Sequence, residues 1–319
     1  MSVISVTGSA GDQGEFALIR RIIARLPQPG HVLVGPGDDA AVISTDDGRV
    51  VASTDLLVDG HHFRRDWSSG YDVGRRAAAA NLADVVAMGA RPSALLVGLA
   101  LPRDTPLDWI DDLARGLQAE CDRVGAGVVG GDLSSTATLT VAVTALGDLE
   151  GRAPVTRRGA VAGNLVVLAG RLGFAAAGLA LLTAGYDNDP LTDAHRRPEV
   201  DYAAGLRLAG TATAMIDVSD GLLADVGHIA TASGVAMELV ASALPVDSAV
   251  ARAARRLDVD PLSWVAGGGD DHAFVATVPA DDAAGWQVIG RVVSGEPAVR
   301  FTDRDLPAVT GHEHFTDGG

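Results

Sequence analysis

The chain contains no lysine; all 25 of its basic residues are arginine. A Walker A phosphate loop needs its Lys, a protein-kinase fold needs one on its third strand, and Schiff-base chemistry needs an amine. Those three mechanisms are excluded or severely weakened, so any phosphate must be held by Arg, backbone amides and metal. Cysteine is almost as scarce. Cys121 stands alone, cannot form an internal disulfide, and lies in a helical pattern, so it reads as a small core residue in a protein of the reducing cytoplasm. Aromatic residues make up only 4% against 47% hydrophobic residues, so the core must be built from Ala, Val, Leu and Ile, a composition that argues against disorder. No charge-free apolar run reaches the roughly 18 residues of a membrane span. The first fifteen residues show no basic segment followed by an apolar stretch, so no signal peptide is expected. His and Cys pairs at zinc spacing are missing, and His61 and His62 adjoin each other instead of sharing a helix face.

What the chain has in excess is aspartate. Its 41 acidic residues leave a net charge of −16, which repels nucleic acid and anionic membranes as partners. Of the 41, 34 are Asp and seven Glu. Hydrophobic periodicity predicts an α/β fold of two mixed domains, 1–148 and 149–319, with a soft boundary where Asp, Glu, Pro and Gly cluster near 148–163. In the first half, helices are expected at 15–26, 72–88 and 107–124, with Asp72 as an N-cap and Gly89 as a stop. Extended segments fall at 32–44, 49–58, 93–101, 127–131 and 138–147. In the second half, strands are expected near 165–169, 214–217, 236–240, 272–278 and 287–293. Helices fall near 174–183, 201–209, 222–233 and 248–257, and the polar stretch 185–198 reads as a mobile loop.

Five segments put carboxylates where a strand ends or a turn begins, or inside a buried helix. They are Gly37-Asp38-Asp39-Ala40, Ser53-Thr54-Asp55, Asn81-Leu82-Ala83-Asp84, Gly130-Gly131-Asp132 and Asp217-Val218-Ser219-Asp220-Gly221. Each alone has a bland explanation, because Asp at a strand end usually caps a helix or closes an Asx-turn. Asp84 differs: it sits among Ala80, Leu82, Ala83, Val85 and Val86, where an uncompensated carboxylate is costly, so it needs a cation or strong donors. Together the segments point to Mg²⁺, a hard ion that takes oxygen ligands and bridges carboxylates to phosphates. Asp220-Gly221 opens a helix whose amides suit an anion, and Arg157 with Arg158 could grip one bidentately.

In order, the strings GEFALI (14–19), GDDAAV (37–42), STDLLVDGHHF (53–63), NLADVVAMGARP (81–92), GGD (130–132), IDVSDGLLADVGHI (216–229) and GGGDDHAF (267–274) resemble the PurM-like ATP-binding superfamily. Within it, they resemble the thiamine-monophosphate kinase family, over nearly the whole chain. The resemblance implies that ATP phosphorylates thiamine monophosphate to thiamine diphosphate, in a homodimer paired through its N-terminal sheets, with several Mg²⁺ ions. Carried over by position, the metal ligands are Asp39, Ser53, Thr54, Asp55, Asp84, Asp132, Asp217 and Asp220. ATP meets Gly131, Asp132, Arg157 and Ser219, and the thiamine phosphate meets His62, Asp270 and His312. Asp55, Asp132 and Asp220 are the residues expected to carry catalysis.

Two positions depart from the family pattern. Gly268-Gly269-Asp270-Asp271-His272-Ala273 stands where Gly-Gly-Glu-Asp-Tyr-Glu is usual, and His312 replaces an aromatic Tyr or Trp in the tail. The acceptor, a phosphate monoester, is already anionic near neutral pH, so direct in-line transfer without a general base or phosphoenzyme is expected. The competing readings are a sister enzyme resembling aminoimidazole ribonucleotide synthetase and a non-catalytic module that binds nucleotide and metal.

Overall fold

Strands and helices alternate along most of the chain, as the periodicity predicts. The computed structural model describes residues 9–12, 15–36, 41–307 and 311. It comprises two units, one made of Met1–Val85 with Ala90–Gly151 and the other of Val86–Gly89 with Arg152–Gly319.

In the first unit, α1 (Glu15–Ile23) precedes a short antiparallel pair, β1 (Val32–Val34) and β2 (Val42–Ile43). There follow β3 (Val51–Val58), α2 (Gly70–Ala87), β4 (Arg91–Leu101), α3 (Leu107–Cys121), β5 (Gly127–Ser135) and β6 (Thr140–Asp148). The four long strands form one sheet in the order β3-β6-β4-β5, antiparallel except for the β4–β5 pair. Burial alternates along β6, so Val141, Val143 and Ala145 face the core while Ala142 and Thr144 face the other, open side. The open side also carries Leu56 and Leu96, 50% and 36% exposed. A cavity of about 870 Å³ lies against it, lined by Leu96, Gly98, Ala142 and Thr144 together with Ile19 and Ile43.

The start of α2 corrects one expectation. Ser69, not Asp72, is the cap: the Ser69 backbone N–H and hydroxyl both donate to the Asp72 carboxylate, and the Asp72 N–H donates back to Ser69 Oγ. This is a capping box with Asp in its third position. With no lysine available, arginines clasp the buried acids: Arg21 and Arg25 hold Asp111, and Arg75 and Arg123 hold Glu120.

The second unit has a six-stranded sheet in the order β12-β9-β11-β7-β10-β8. Its strands are β7 (Leu165–Ala169), β8 (Ala214–Asp217), β9 (Ala236–Leu239), β10 (Phe274–Val278), β11 (Gln287–Val293) and β12 (Ala298–Phe301). All neighbours are antiparallel except β12 and β9. Leu181 of α4 (Phe174–Thr183), Leu191 of α5 (Pro190–Arg196), Val226 of α7 (Leu222–Ser233), Val250 of α8 (Ser248–Leu257) and Val265 of α9 (Pro261–Gly267) close one hydrophobic core. Helix α6 (Tyr202–Ala209) completes the unit.

The expected mobile loop at 185–198 is in part α5. Asp189 caps it, accepting from Leu191 N at 3.0 Å, Pro190 stands in its first turn, and Leu191, Thr192 and His195 are buried. The same Asp-Pro opening starts α9 after Asp260. Cys121 is buried, and burial pushes its thiol far above the ordinary range. Among the described residues, no helix is long and apolar enough to cross a membrane.

Candidate active site

Each unit gathers its own set of carboxylates. In the first, β3 carries Ser53-Thr54-Asp55 and lies beside α2. Side chains alternate across a strand, so Ser53 and Asp55 point toward α2 and Thr54 points away. Ser53 Oγ donates to Asp84 Oδ2 at 2.7 Å, which gives the half-buried carboxylate of α2 the strong donor that its apolar surroundings require. One turn earlier on α2, Asn81 is 1% exposed. Its Oδ1 accepts the Asp55 backbone N–H at 3.0 Å and its amide donates to Ala77 O at 2.9 Å. Asn81 therefore fixes the strand backbone that carries Asp55, a role sequence reasoning missed although it stands three residues before Asp84, on the same helix face.

Thr54 faces the open side of the sheet. Its hydroxyl donates to Val143 O at 3.0 Å and meets Thr144 Oγ1 at 3.1 Å. Its side chain does not join Ser53 and Asp84. Asp132 is displaced further. One row crosses the sheet from Leu56 through Ala142 and Gly98 to Asp132, so Asp132 shares the open face with Leu56, on the strand at the far edge. Three strand spacings separate that edge from β3, roughly 14 Å of backbone. Within this unit, therefore, Asp132 does not come together with Asp55 and Asp84. Its carboxylate instead accepts from Ser134 Oγ at 3.1 Å. Gly131 has a packing reason to be glycine: a Cβ there would lie 2.0 Å from Val97 O.

His62 follows β3 in a tight turn. Its Nδ1 accepts the Val58 N–H at 3.1 Å, which places the ring hydrogen on Nε2. Asp39 and His312 lie outside the described residues.

In the second unit, the segments 217–221 and 267–273 zip together. Val218 N donates to Ala273 O at 2.7 Å, His272 N to Val218 O at 2.9 Å and Asp270 N to Ser219 O at 2.8 Å. The fit leaves no room for side chains at the turn: a Cβ on Gly269 would meet Ser219 O at 2.2 Å. Gly221, at φ +127°, adopts a conformation open to glycine alone at little cost. The zip sets Asp217, Ser219, Asp220 and Asp270 in neighbouring positions, with Asp217 buried at the end of β8.

Four further groups were missed from sequence. Asp225 is buried on the first turn of α7 and accepts the N–H groups of Asp220 and Gly221 at 3.2 and 3.1 Å. Burial, then the charges of Asp217 and Asp220, push its carboxyl up to about 7. His228 lies one turn on, and Asp220, Asp225 and His228 offer ligand atoms within 4.8 Å of one another. The i, i+3 spacing in Asp225-Val226-Gly227-His228 was the available signal. Asp271 caps α4 from outside, accepting Gly173 N–H and, at 2.8 Å, Ala175 N–H. His272 Nδ1 lies 3.0 Å from Asp217 Oδ2, both residues buried.

Arg157 is exposed in a turn whose carbonyl accepts from Ser233 Oγ at 3.1 Å. The donor chemistry fits Mg²⁺: carboxylates with hydroxyls, oxygen-rich and free of thiolate, with ligand atoms of Asp220, Asp225 and His228 within 4.8 Å of one another.

Residues 37–149 match the family model described as AIR synthase related protein, N-terminal domain. The thiamine-monophosphate kinase of Mycobacterium tuberculosis H37Rv is 49% identical over 305 residues, 95% of this chain and 92% of that one. A crystal structure of thiamine-monophosphate kinase from Stenotrophomonas maltophilia K279a superposes with a TM-score of 0.81 at 33% identity, covering 95% of this chain and 100% of that one. AaThiL complexed with AMPPCP and TMP superposes with a TM-score of 0.78 at 29% identity, covering 97% of this chain and 100% of that one.

Proposed function

The chain belongs to the thiamine-monophosphate kinase family, and from that premise we propose that it transfers the γ-phosphoryl group of ATP to thiamine monophosphate, giving thiamine diphosphate and ADP. The observation that carries this reading is the Ser53–Asp84 hydrogen bond beside Asp55, a carboxylate set of the type that holds Mg²⁺ against phosphate oxygens. Its companion is the Asp217–Asp220–Asp225 group of the second unit.

In this reading Asp39, Ser53, Asp55, Asp84, Asp132, Asp217 and Asp220 would hold several Mg²⁺ ions, with Thr54 contributing through its main chain. When bound, the metal supplies the positive charge that neutralises donor and acceptor phosphates. The protein does the rest by positioning. Ser53 orients Asp84, Asn81 fixes the backbone at Asp55, and Asp225, accepting the Asp220 and Gly221 N–H groups, fixes the turn that presents Ser219 to ATP. Arg157 is free to swing onto a phosphate, and the residues proposed to meet the thiamine phosphate are His62, through its Nε2 hydrogen, Asp270 and His312. The acceptor oxygen is already charged, so transfer is direct and in-line and no residue acts as general base. Inversion at phosphorus with chirally labelled ATP tests this, because net retention would require a phosphoenzyme.

A cytoplasmic homodimer is part of the same proposal, with 1–148 as its pairing domain and 149–319 as the second domain. Two features support pairing through the first sheet: its open face is apolar at Leu56 and Leu96, and Asp132 stands on that face away from Asp55. A partner copy seated there would meet Asp132. The direct test is product formation from ATP, Mg²⁺ and thiamine monophosphate.

A further inference from the structure

We propose that His272 is a positioning residue for Asp217, holding one carboxylate oxygen so that the other is aimed at a divalent cation. The inference rests on the metal reading of Asp217 given above, and it concerns a residue that stands where the family pattern has Tyr.

Three observations carry it. His272 Nδ1 lies 3.0 Å from Asp217 Oδ2, and the two residues are 5% and 3% exposed. An ionised carboxylate only accepts hydrogen bonds, so Nδ1 must carry the hydrogen. The backbone is locked on both sides of the contact, by His272 N to Val218 O and Val218 N to Ala273 O, and Phe274 pairs with Asp217 across β10 and β8. Finally, His272 takes a left-handed backbone conformation, φ +50°, which residues other than Gly, Asn and Asp adopt uncommonly. That twist accompanies the placement of the ring against Asp217. A buried donor on Oδ2 removes the freedom of the carboxylate to rotate and leaves Oδ1 as the ligand atom. Groups that orient a ligating carboxylate in this way are worth about 10- to 100-fold in metal affinity.

The test compares two amide substitutions. His272→Asn places an amide nitrogen near the position of Nδ1 and tolerates the left-handed backbone. His272→Gln carries its amide near the position of Nε2 and loses the Nδ1 donor. Mn²⁺ binding to the full chain, with and without ATP, is followed by electron paramagnetic resonance, with Asp217→Asn as reference and thermal melting as the control for folding. The expected result is near wild-type Mn²⁺ affinity in His272→Asn and a loss of about 10- to 100-fold in His272→Gln, with no added loss from His272→Gln in the Asp217→Asn background. Nitrogen-15 spectra of wild-type His272 are expected to show the Nδ1–H tautomer. Wild-type affinity in a folded His272→Gln, while Asp217→Asn weakens binding, overturns the positioning role and leaves the metal reading standing. Unchanged Mn²⁺ binding in Asp217→Asn overturns the metal reading of Asp217 itself. An Nε2–H tautomer in wild type overturns the proposed contact directly.

Discussion

Ser53 Oγ donates to Asp84 Oδ2 at 2.7 Å, joining β3, an edge strand of the four-stranded sheet, to the last turn of α2, where Leu82, Ala83, Val85 and Val86 are buried. Loss of this donor leaves a half-buried carboxylate less well compensated. Ser53→Ala is therefore expected to raise the Mg²⁺ concentration needed for half-maximal turnover by about 10-fold, at a stability cost of about 1 kcal/mol. Asp84→Ala should abolish turnover while the protein still melts cooperatively. A Mg²⁺ titration of ADP release measures both, and an unchanged midpoint in Ser53→Ala would contradict the assignment.

Thr54 separates a side-chain ligand from a main-chain one. Its hydroxyl is engaged with Val143 O and Thr144 on the opposite face, so Thr54→Val is expected to move the Mg²⁺ midpoint by less than about twofold, the range of a substitution that breaks no site contact. A shift as large as that of Ser53→Ala would show that the hydroxyl turns to the metal.

Asp271 gives a pH signature. Burial raises its carboxyl from 3.8 to about 7, against the lowering effect of the Ala175 and Gly173 N–H groups. The folded state therefore favours the protonated acid. This contribution to stability is fully present below pH 3.8, declines as pH rises to about 7, and is lost above it. Asp271→Asn keeps an acceptor for the α4 cap and cannot ionise. Denaturant unfolding from about pH 4 to about 7 should show the variant gaining on the wild type as pH rises. A constant difference across that range would refute the shift. Asp225 shifts in the same direction, so the comparison is read as a difference between the two proteins.

Leu96, on the open face of the first sheet, tests the dimer. Leu96→Asp places a charge in an apolar surface and should give a folded monomer by analytical ultracentrifugation, with turnover reduced by orders of magnitude. A monomer with full turnover would show that Asp132 acts without a partner.

Period and punctuation made most of the fold legible. The helices at 222–233 and 248–257 and the strand at 165–169 coincide with the expected spans, because their apolar spacing and flanking Asp or Gly agree. The short helices α5 and α9 were missed: seven residues carry too little periodicity, and their Asp-Pro openings were the readable sign. The site was legible as a list of carboxylates but not as an arrangement. A list cannot tell that alternation turns Thr54 away or that strand order sends Asp132 to the far edge. Nor did it distinguish the many Asp residues that merely cap helices, such as Asp189, Asp201, Asp247 and Asp260, from those that do not. Asn81 and His272 escaped because their work is to orient other residues, which only the contacts reveal.

The most direct measurement is a chromatographic product assay of the purified chain with ATP, Mg²⁺ and thiamine monophosphate, run beside free thiamine and beside chelator. The account predicts thiamine diphosphate and ADP in equal amounts with the monophosphate, and neither product with free thiamine or when the metal is chelated. Demonstrable Mg-ATP binding without thiamine diphosphate would contradict it.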